Sequence, residues 1–563
     1  MNDQTAEWPK ISLAEAHARL TAPGMPFETV EIEVRGISMR IWKHAPATAA
    51  QAFEAARRHG DRGFLVHGEE RVTYDGFCRA ALAVARLLRQ RGLNKGDRVA
   101  LVMRNLPEWP AIFVGALLAG AIVVPLNAWW TGAELGYGLL DSGARFVFAD
   151  AERLARLTDL PPAIELFVAR AANPPAGVTV LEDVIGAPAQ WARLPEGVVP
   201  DVPLAPEDDA TIFYTSGTTG APKGALGTHR ALTTNIFAQP FSQARNLLRQ
   251  GLAPSPSRQR VTLLAVPFFH VIGSLSVLLP NMAGGGKLVL MRKFEAQEAA
   301  RLIAREKVTV AGGVPAVALS LLEQAGSHDL SSLELVTFGG APSPVSLAAD
   351  IHARLGAMPG QGWGMTETSA TCTTHSGLDY LHRPQSCGPA LPVCRLKVVK
   401  DGRELPAGEA GELWAFGPNI VKGYWNRPDA TAERFQDGWI RTGDLAMLDQ
   451  EGFCTILDRS EDMLIRGGEN IYCSEVENIL NRHPAVADAA LLGLHHAVLG
   501  EVPVAAVQLR PGASLDEEAL KAFAAERLAA FKVPVRFFFS RSPLPRNQGG
   551  KLMKQALRKA FDP

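Results

Sequence analysis

The sequence predicts an α/β protein: a large N-terminal domain of stacked, mostly parallel sheets with helices, an antiparallel β subdomain, and a small α+β C-terminal domain. Apolar, β-rich runs alternate with helix-like segments from about residue 50. After about residue 410 the pattern changes to short strands joined by tight turns, and a separate α+β pattern begins after residue 458. Of the 563 residues 47% are hydrophobic and 20% are charged, which is typical of a folded chain and excludes a disordered one.

The parallel sheets are predicted from eight apolar runs of the kind that form strands buried on both faces. These runs span residues 97–103, 121–126, 145–149, 210–214, 261–266, 288–291, 308–310 and 333–338. In open α/β sheets, ligands bind at the carboxyl ends of the strands. We therefore expect the functional residues in the turns that follow these runs. In the first 45 residues only residues 13–20 show a helical pattern.

The antiparallel subdomain is predicted from three short runs at residues 412–416, 445–448 and 453–457. Farther on, two Ser-x-x-Glu patterns that begin at Ser474 and Ser514 predict helix starts of the capping-box type. Two strand-like runs lie between them, at residues 489–492 and 504–509.

These patterns predict how the chain divides into domains. We expect an N-terminal domain at residues 1–458, with its core from about residue 50, and a mobile C-terminal domain at residues 463–563. Residues 459–462 are predicted to form the hinge between them.

Charge and cysteine usage restrict the function classes. The chain has 57 Lys and Arg residues and 58 Asp and Glu residues, so non-specific electrostatic binding to nucleic acid or an anionic membrane is not expected. The six cysteines are scattered without a C-x-x-C pair, which favours the cytoplasm over a disulfide framework or a zinc site. The N-terminus has no signal-peptide pattern. Residues 109–126 are apolar but contain Gly and Pro, so they predict a buried helix and strand and no integral membrane segment.

The strongest motif is the loop YTSGTTGAPKG at residues 214–224, directly after a predicted strand. Its glycines allow close backbone approach, its hydroxyls and amides can donate to phosphate oxygens, and Lys223 adds a positive charge. It is not a Walker loop, because Lys223 is followed by Gly224 and not by Ser or Thr. We therefore predict a phosphate-binding loop made of Thr215, Ser216, Gly217, Thr218, Thr219, Gly220 and Lys223.

This loop resembles the phosphate-binding signature of the adenylate-forming superfamily, which includes acyl-CoA synthetases, aryl-CoA ligases, luciferases and peptide-synthetase adenylation domains. The resemblance covers roughly residues 50–555 and recurs at five further motifs in chain order. It implies that a carboxylic acid and MgATP give an acyl-adenylate and pyrophosphate, and that CoA thiolate then takes the acyl group. The partners it implies are a small carboxylic acid, ATP, Mg²⁺ and CoA, and it leaves a homodimer open.

Residues 361–368, QGWGMTET, resemble the family's Q-G-Y-G-M-T-E motif, with Trp in place of Tyr. The resemblance implies that Trp363 stacks on adenine, that Thr366 reaches the α-phosphate and that Glu367 holds Mg²⁺. A flat aromatic ring suits a purine, and a carboxylate suits a hard cation. Further nucleotide contacts are expected from the same motif and from the turn after residue 338, at Gln361, Gly362, Gly340, Ala341 and Pro342, and Ser216 is a second metal candidate.

Five more residues carry roles implied by the resemblance. Asp444 and Arg459 would bind the ribose, since a carboxylate can accept two hydrogen bonds from a vicinal diol. Gly467 and Gly468 belong to a Gly-Gly-Glu-Asn loop that would enter the site in the second half-reaction. Lys551, in the motif PRNQGGK, would be the adenylation lysine that bridges the acid and the α-phosphate.

The hinge departs from the family pattern. Glu461 stands at the hinge position, where the family usually has Asp or Lys, and Asp458 stands where Gly is expected before the arginine. Neither change removes a catalytic group, so both affect the expected energetics of the hinge and leave the expected chemistry intact.

The acyl pocket is expected in residues 267–274, PFFHVIGS, and in two Gly-Gly turns. The resemblance places His270 at the carboxylate, and the expected wall consists of Phe269, Gly273, Gly312, Gly313 and Gly339. The segment has no acidic residue to pair with an α-amino group, which disfavours an amino acid. Because glycines leave room, a medium- or long-chain fatty acid is the leading expectation, with aryl, arylpropenoic, steroid or other alicyclic acids as alternatives. A non-catalytic binding protein is disfavoured, because Lys223, Glu367, Asp444 and Lys551 are all present.

Overall fold

The computed structural model describes most of the chain. The described residues are 8–158, 160–161, 163–215, 221–253, 258–341, 343–459, 462–466, 469–496, 499–546, 552–559 and 561. Ten predicted site residues lie outside these ranges: Ser216, Gly217, Thr218, Thr219, Gly220, Pro342, Glu461, Gly467, Gly468 and Lys551.

A seven-stranded sheet carries at one edge the hairpin that flanks the predicted phosphate-binding loop. All its neighbouring strands pair in parallel except the two strands of that hairpin. In spatial order its strands are Lys223–Thr228, Asp209–Thr215, Ile122–Pro125, Arg98–Val102, Phe146–Asp150, Glu165–Ala169 and Thr179–Val180.

A second sheet of eight strands is parallel except for the pair at each end. In spatial order its strands are Thr373–Ser376, Met358–Trp363, Leu335–Gly339, Val310–Gly313, Val261–Leu264, Lys287–Leu290, Gly63–His67 and Glu70–Thr73. The predicted parallel α/β architecture is confirmed, because strands of this kind form both sheets.

Helices Tyr74–Gln90 and Glu108–Leu118 belong to the largest apolar core, which also takes side chains from both parallel sheets. Every residue of Glu108–Leu118 is buried, and Trp109 stacks between Phe113 and Phe268 with ring centroids 4.9 Å apart in each pair. The apolar stretch at residues 109–126 is thus a buried helix followed by a buried strand, as predicted. Within the described ranges, no helix combines the length and the apolar character needed to cross a bilayer.

A third, antiparallel sheet forms the predicted β subdomain. Its strands are Gly388–Pro389, Phe453–Arg459, Trp439–Leu448, Ala410–Phe416, Arg395–Lys400 and Arg403–Glu404, with Phe435–Gln436 beside Trp439–Leu448. The N-terminal region, where only a helix is predicted, also contains a hairpin of strands Thr29–Val34 and Ile37–Trp42. Val34 and Met39 of this hairpin pack against Phe416.

A separate sheet follows the predicted hinge. Its strands are Glu469–Ile471, Leu464–Arg466, Gly500–Leu509 and Val486–His496, with Arg536–Ser540 parallel to Gly500–Leu509. Helices Cys473–Leu480 and Glu517–Ala525 pack on it with a core of their own. The exact division of the chain at residues 458–462 stays a prediction.

The two predicted capping boxes are wrong. Helix Glu517–Ala525 is capped by Asp516, whose carboxylate accepts from the amide of Ala519, so a nearer acceptor replaces Ser514. Ser474 lies inside helix Cys473–Leu480 and its hydroxyl donates to the main-chain oxygen of Leu457. A tertiary contact therefore takes the hydroxyl that the local pattern assigns to a cap.

Helix Pro428–Arg434 contacts the antiparallel sheet, and Lys554–Arg558 packs on the C-terminal sheet. The other α-helices surround the parallel sheets or connect their strands. They are Leu13–Thr21, Ala49–Arg57, Gly132–Ser142, Ala151–Leu154, Glu182–Ile185, His229–Thr234, Ala238–Arg249, Leu279–Gly284, Ala296–Glu306, Pro315–Glu323, Leu347–Leu355 and Leu378–His382.

Candidate active site

The predicted motifs meet at the carboxyl ends of neighbouring parallel strands in the eight-stranded sheet. Gly313 pairs with Phe338, and Gly339 pairs with Gly362, one residue before Trp363. The two Gly-Gly turns and the Trp363 motif therefore lie side by side along one edge. This is the edge at which ligands bind in open α/β sheets.

An antiparallel hairpin flanks the predicted phosphate-binding loop. Thr215 pairs with Lys223, and the Thr215 hydroxyl donates to the Lys223 carbonyl oxygen at 3.3 Å. The Lys223 ammonium lies 5.3 Å from the ring centroid of Tyr424, within the range of a cation–π contact. The hairpin therefore joins the two residues that flank the predicted loop, and one of them is the cation Lys223.

Asp141 anchors this hairpin from helix Gly132–Ser142. Its carboxylate accepts from the Tyr214 hydroxyl at 2.7 Å and from the Arg427 guanidinium at 2.7 Å. From the same helix, the Tyr137 hydroxyl donates to the main-chain oxygen of Pro222, beside Lys223, at 3.0 Å. Sequence analysis missed these side chains, because nothing in their local pattern connects them to a loop some 75 residues away.

Glu367 is buried in a single 3₁₀ turn, Thr366–Thr368, and accepts a hydrogen bond from the Tyr424 hydroxyl at 2.7 Å. Burial and the neighbouring Glu367 carboxylate raise the pKa of Tyr424, so its hydroxyl stays a donor at neutral pH. Tyr424 thus contacts both Lys223 and Glu367, and sequence analysis missed it. Its place between a glycine and Trp425 gives no signal of that role.

Asp444 joins two other predicted nucleotide residues. It is buried, its Oδ2 accepts from the Trp363 indole N–H at 2.8 Å, and its Oδ1 lies 3.5 Å from the Arg459 guanidinium Nε. Asp444 and Arg459 are register partners on strands Trp439–Leu448 and Phe453–Arg459. The three side chains form one connected group, although Trp363 comes from a different sheet from Asp444 and Arg459.

An aromatic wall stands where the acyl pocket is expected. Phe269 is buried, and its ring centroid lies 4.8 Å from that of His270. Trp129 approaches Phe269 edge to face at 5.0 Å and lies 6.4 Å from His270. Trp129 is a wall residue that sequence analysis missed.

Main-chain packing, and not the expected room for the substrate, accounts for three glycines near this wall. A Cβ at Gly273, Gly312 or Gly339 would lie 2.2, 1.8 or 2.8 Å from a main-chain oxygen. Real Cβ atoms do not approach that closely, so main-chain packing itself requires these glycines. Their lack of side chains carries no information on the length of the acyl group.

Two other glycines have side-chain neighbours. A Cβ at Gly313 would lie 2.9 Å from Cγ1 of Val266, and one at Gly340 would lie 3.3 Å from Cδ1 of Ile272. Gly340 also has φ of 76°, in the left-handed region that disfavours other residues. The space over these glycines is therefore already bounded by apolar side chains.

The described residues fit Mg²⁺ that arrives with ATP. Within those residues, no three His, Cys, Asp or Glu side chains gather into a metal site. Glu367 nevertheless offers a buried carboxylate next to Tyr424, whose ring Lys223 contacts. Mg²⁺ in phosphate sites is held by one or two carboxylates together with substrate phosphates, which suits this arrangement.

Replacing Tyr424 by phenylalanine is expected to slow acyl-adenylate formation by about 10- to 100-fold, because a hydrogen bond to a charged group contributes roughly 1.5–3 kcal/mol. The measurement is acid-dependent ATP–pyrophosphate exchange at varied Mg²⁺. Tyr74→Phe is the matched control, since that buried hydroxyl donates only to main-chain oxygens of Asn281 and Gly286 among the contacts described. Equal rates for both variants would mean that the hydrogen bond from Tyr424 to Glu367 does not contribute to acyl-adenylate formation.

Comparison with known proteins agrees with this geometry. Residues 52–425 match the family model of AMP-binding enzymes, and residues 475–551 match that of the AMP-binding enzyme C-terminal domain. The 2-succinylbenzoate–CoA ligase of Geobacillus kaustophilus is 37% identical over 87% of this chain and 94% of its own length. The feruloyl-CoA synthase of an Amycolatopsis species is 35% identical over 88% of this chain and 95% of its own.

A solved structure gives the same result. O-succinylbenzoate coenzyme A synthetase from Bacillus subtilis, in complex with ATP and magnesium ion, matches with a TM-score of 0.74 at 30% identity. The match covers 90% of this chain and 98% of that one. The chain therefore belongs to the AMP-binding, adenylate-forming enzymes, as an acid–thiol ligase that uses ATP, Mg²⁺ and CoA.

Proposed function

We propose that the enzyme joins an aromatic or arylpropenoic monocarboxylic acid to CoA through an acyl-adenylate. The observation that carries this choice is the aromatic wall of Phe269, His270 and Trp129, whose edge-to-face packing suits a flat ring. The bounding side chains Val266 and Ile272 are apolar, which favours an acid without a second charge. The names of the two relatives, a 2-succinylbenzoate ligase and a feruloyl-CoA synthase, support an aromatic substrate.

A fatty acid has less support than the sequence alone suggests. That expectation depends on glycines that leave room for a long chain. Since main-chain packing accounts for Gly273, Gly312 and Gly339, the volume argument loses its basis. The names of the two relatives above give a fatty acid no support.

In the first half-reaction, the chain's residues bind ATP and bring its α-phosphate to the acid. Trp363 would stack on adenine. Asp444 would accept hydrogen bonds from the ribose hydroxyls, and Arg459 would donate to them. A carboxylate has about four lone-pair sites, so Asp444 can hold Trp363 and still accept from the diol. Gln361, in the same strand as Trp363, has a buried side-chain oxygen without a hydrogen-bond partner among the described residues, which leaves an acceptor for the nucleotide.

Three residues would neutralise negative charge in this step, directly or through Mg²⁺. Lys223 would bind the β- and γ-phosphates beside the loop, and Glu367 would hold Mg²⁺, which neutralises phosphate charge when bound. Lys551 would neutralise the charge that develops as the carboxylate oxygen attacks the α-phosphorus and pyrophosphate leaves. Thr366 would donate to the α-phosphate, and His270 would orient the acid.

In the second half-reaction, the C-terminal domain is proposed to turn about Glu461 and to bring Gly467 and Gly468 to the site. CoA thiolate then attacks the acyl carbon, and AMP leaves with the electron pair of the broken C–O bond. Water exclusion by the aromatic wall would protect the acyl-adenylate from hydrolysis meanwhile.

The acid is tested by measuring acyl-CoA formation from a panel with ATP and CoA. Ferulate, cinnamate and benzoate stand for the aromatic class, 2-succinylbenzoate adds a second charge, and decanoate and palmitate stand for fatty acids. We expect kcat/KM for the best aromatic monoacid to exceed that for either fatty acid by at least about 100-fold, or roughly 2.7 kcal/mol. A fatty acid as the best substrate would refute the aromatic assignment.

Replacing Gly340 by leucine is expected to lower the stability of the protein more than it shortens the acyl preference. A side chain at φ of 76° costs about 1–2 kcal/mol, and the added Cβ must also displace Ile272. Thermal unfolding measures the loss. Gly136→Ala is the control, because nothing lies within 4 Å of a Cβ at that helical glycine. A stable Gly340 variant with a clearly shorter acyl profile would instead mean that the pocket passes over Gly340.

A further inference from the structure

Asp458 makes a contact across the predicted hinge. It is the penultimate residue of strand Phe453–Arg459, and its Oδ2 accepts from the backbone N–H of Cys473 at 2.5 Å. Its other oxygen accepts from the Arg459 amide at 2.8 Å. Cys473 is the first residue of helix Cys473–Leu480, so the carboxylate lies at the positive end of that helix.

The residues next to Asp458 and Cys473 form a second hydrogen bond between the same strand and helix. The Ser474 hydroxyl donates to the main-chain oxygen of Leu457. Two consecutive residues at the start of the helix therefore bind two consecutive residues at the end of the strand. The hinge lies between the two pairs in sequence, so a rotation about it would separate them.

The segment that follows Lys551 belongs to the same cluster. The Lys554 ammonium lies 3.7 Å from Glu477, on the helix that Asp458 contacts, and 3.9 Å from Asp462, in the predicted hinge. Glu477 also accepts from the Leu491 amide at 2.8 Å. Burial raises the pKa of Asp458, and the charge of Lys554 opposes that rise.

We propose that Asp458 is a positioning residue that favours the described orientation of the C-terminal domain over the other orientation that the two half-reactions require. It would do so by binding the start of helix Cys473–Leu480, whose domain also carries Lys551. A contact made in one orientation only shifts the population toward it.

This inference depends on the two half-reactions of the ligase and on a hinge at residues 459–462, but not on the identity of the acid. Two variants break the contact from opposite sides. Asp458→Gly removes the acceptor. Cys473→Pro removes the donor, and proline is tolerated at the first position of a helix. Cys473→Ala is the matched control, because it keeps the N–H but also loses the thiol contact to the Asp462 carbonyl oxygen.

The first readout is the distance between the domains, measured by single-molecule FRET without any acid. Glu196→Cys and Glu526→Cys give label sites that are 77% and 70% exposed, while all six native cysteines are buried. We expect Asp458→Gly and Cys473→Pro to shift the distance distribution in the same direction, with no further shift in the double variant and none in Cys473→Ala. An unchanged distribution in the two single variants, or shifts that add in the double variant, would overturn the proposal.

The second readout is the ratio of the two half-reactions, measured as ATP–pyrophosphate exchange and as thioester formation from supplied feruloyl-adenylate. We expect this ratio to change by at least about threefold in both single variants. A common fold-change in both half-reactions would show a merely structural role and overturn the proposal. If ferulate is not a substrate, the adenylate of the best acid in the panel replaces feruloyl-adenylate. If that acid is a fatty acid, the aromatic assignment fails, but the test of Asp458 stays the same.

Discussion

Replacing Lys551 by alanine is expected to reduce acyl-adenylate formation by at least about 100- to 1,000-fold, the scale of losing one preorganised charge partner in a transition state. Thioester formation from supplied acyl-adenylate should be largely spared. The reason is that Lys551 is expected in the site only in the orientation that uses ATP. ATP–pyrophosphate exchange measures the first half-reaction, and CoA consumption with synthetic acyl-adenylate measures the second.

Two further variants serve as controls for Lys551→Ala. Lys551→Arg keeps the positive charge and should retain part of the exchange activity. Lys559→Ala removes an exposed lysine from the same C-terminal segment and should leave both half-reactions near the parental rates. A folded Lys551→Ala enzyme that loses both half-reactions to the same extent would contradict the proposed role.

Replacing Asp444 by alanine is expected to weaken ATP binding by roughly 3–6 kcal/mol, or about two to four orders of magnitude in Kd. Two charge-assisted hydrogen bonds to the ribose would be lost. The structure adds a second reason, since the indole N–H of Trp363 donates to the same carboxylate at 2.8 Å. Without Asp444, the ring proposed to stack on adenine loses its orienting partner.

Calorimetric titration with ATP measures this loss. Asp444→Asn keeps one oxygen acceptor and should show a smaller effect. Trp363→Phe keeps an aromatic face but removes the indole N–H, so its loss should overlap with that of Asp444→Ala and not add to it. Unchanged nucleotide affinity in Asp444→Ala would refute the ribose assignment.

The fold was predictable because its strands are buried on both faces. Runs such as residues 97–103 and 333–338 are apolar throughout, and each overlaps an observed parallel strand, Arg98–Val102 and Leu335–Gly339. The hairpin Thr29–Trp42 was missed because it packs on a neighbouring sheet, and its own sequence is half polar. A strand that depends on a distant partner leaves a weak signal in its own residues.

Candidate site residues can be named from the sequence only where they form contiguous motifs. Such motifs name Trp363 and Glu367, whose roles stay a prediction, whereas Tyr424, Asp141 and Trp129 lie outside any motif and were missed. Each missed residue supports a motif from a distant part of the chain, and the contact exists only after folding. Sequence spacing does not contain that information.

The glycines show a different limit of predicting a binding pocket from sequence. A glycine in a sequence indicates a missing side chain but not what takes its place. At Gly312 a main-chain oxygen would lie 1.8 Å from an added Cβ, so the backbone itself fills the space. The expectation of a fatty acid came from the opposite interpretation, that the space belongs to the substrate.

The central claim is that the enzyme activates an aromatic acid as an acyl-adenylate at this site before CoA takes part. ATP–pyrophosphate exchange, measured with each acid of the panel and with CoA left out, tests it most directly. The account predicts exchange that requires the acid and Mg²⁺, is fastest with an aromatic monoacid, and is lost in Lys551→Ala. Exchange that appears only when CoA is present, or that is fastest with palmitate, would contradict it.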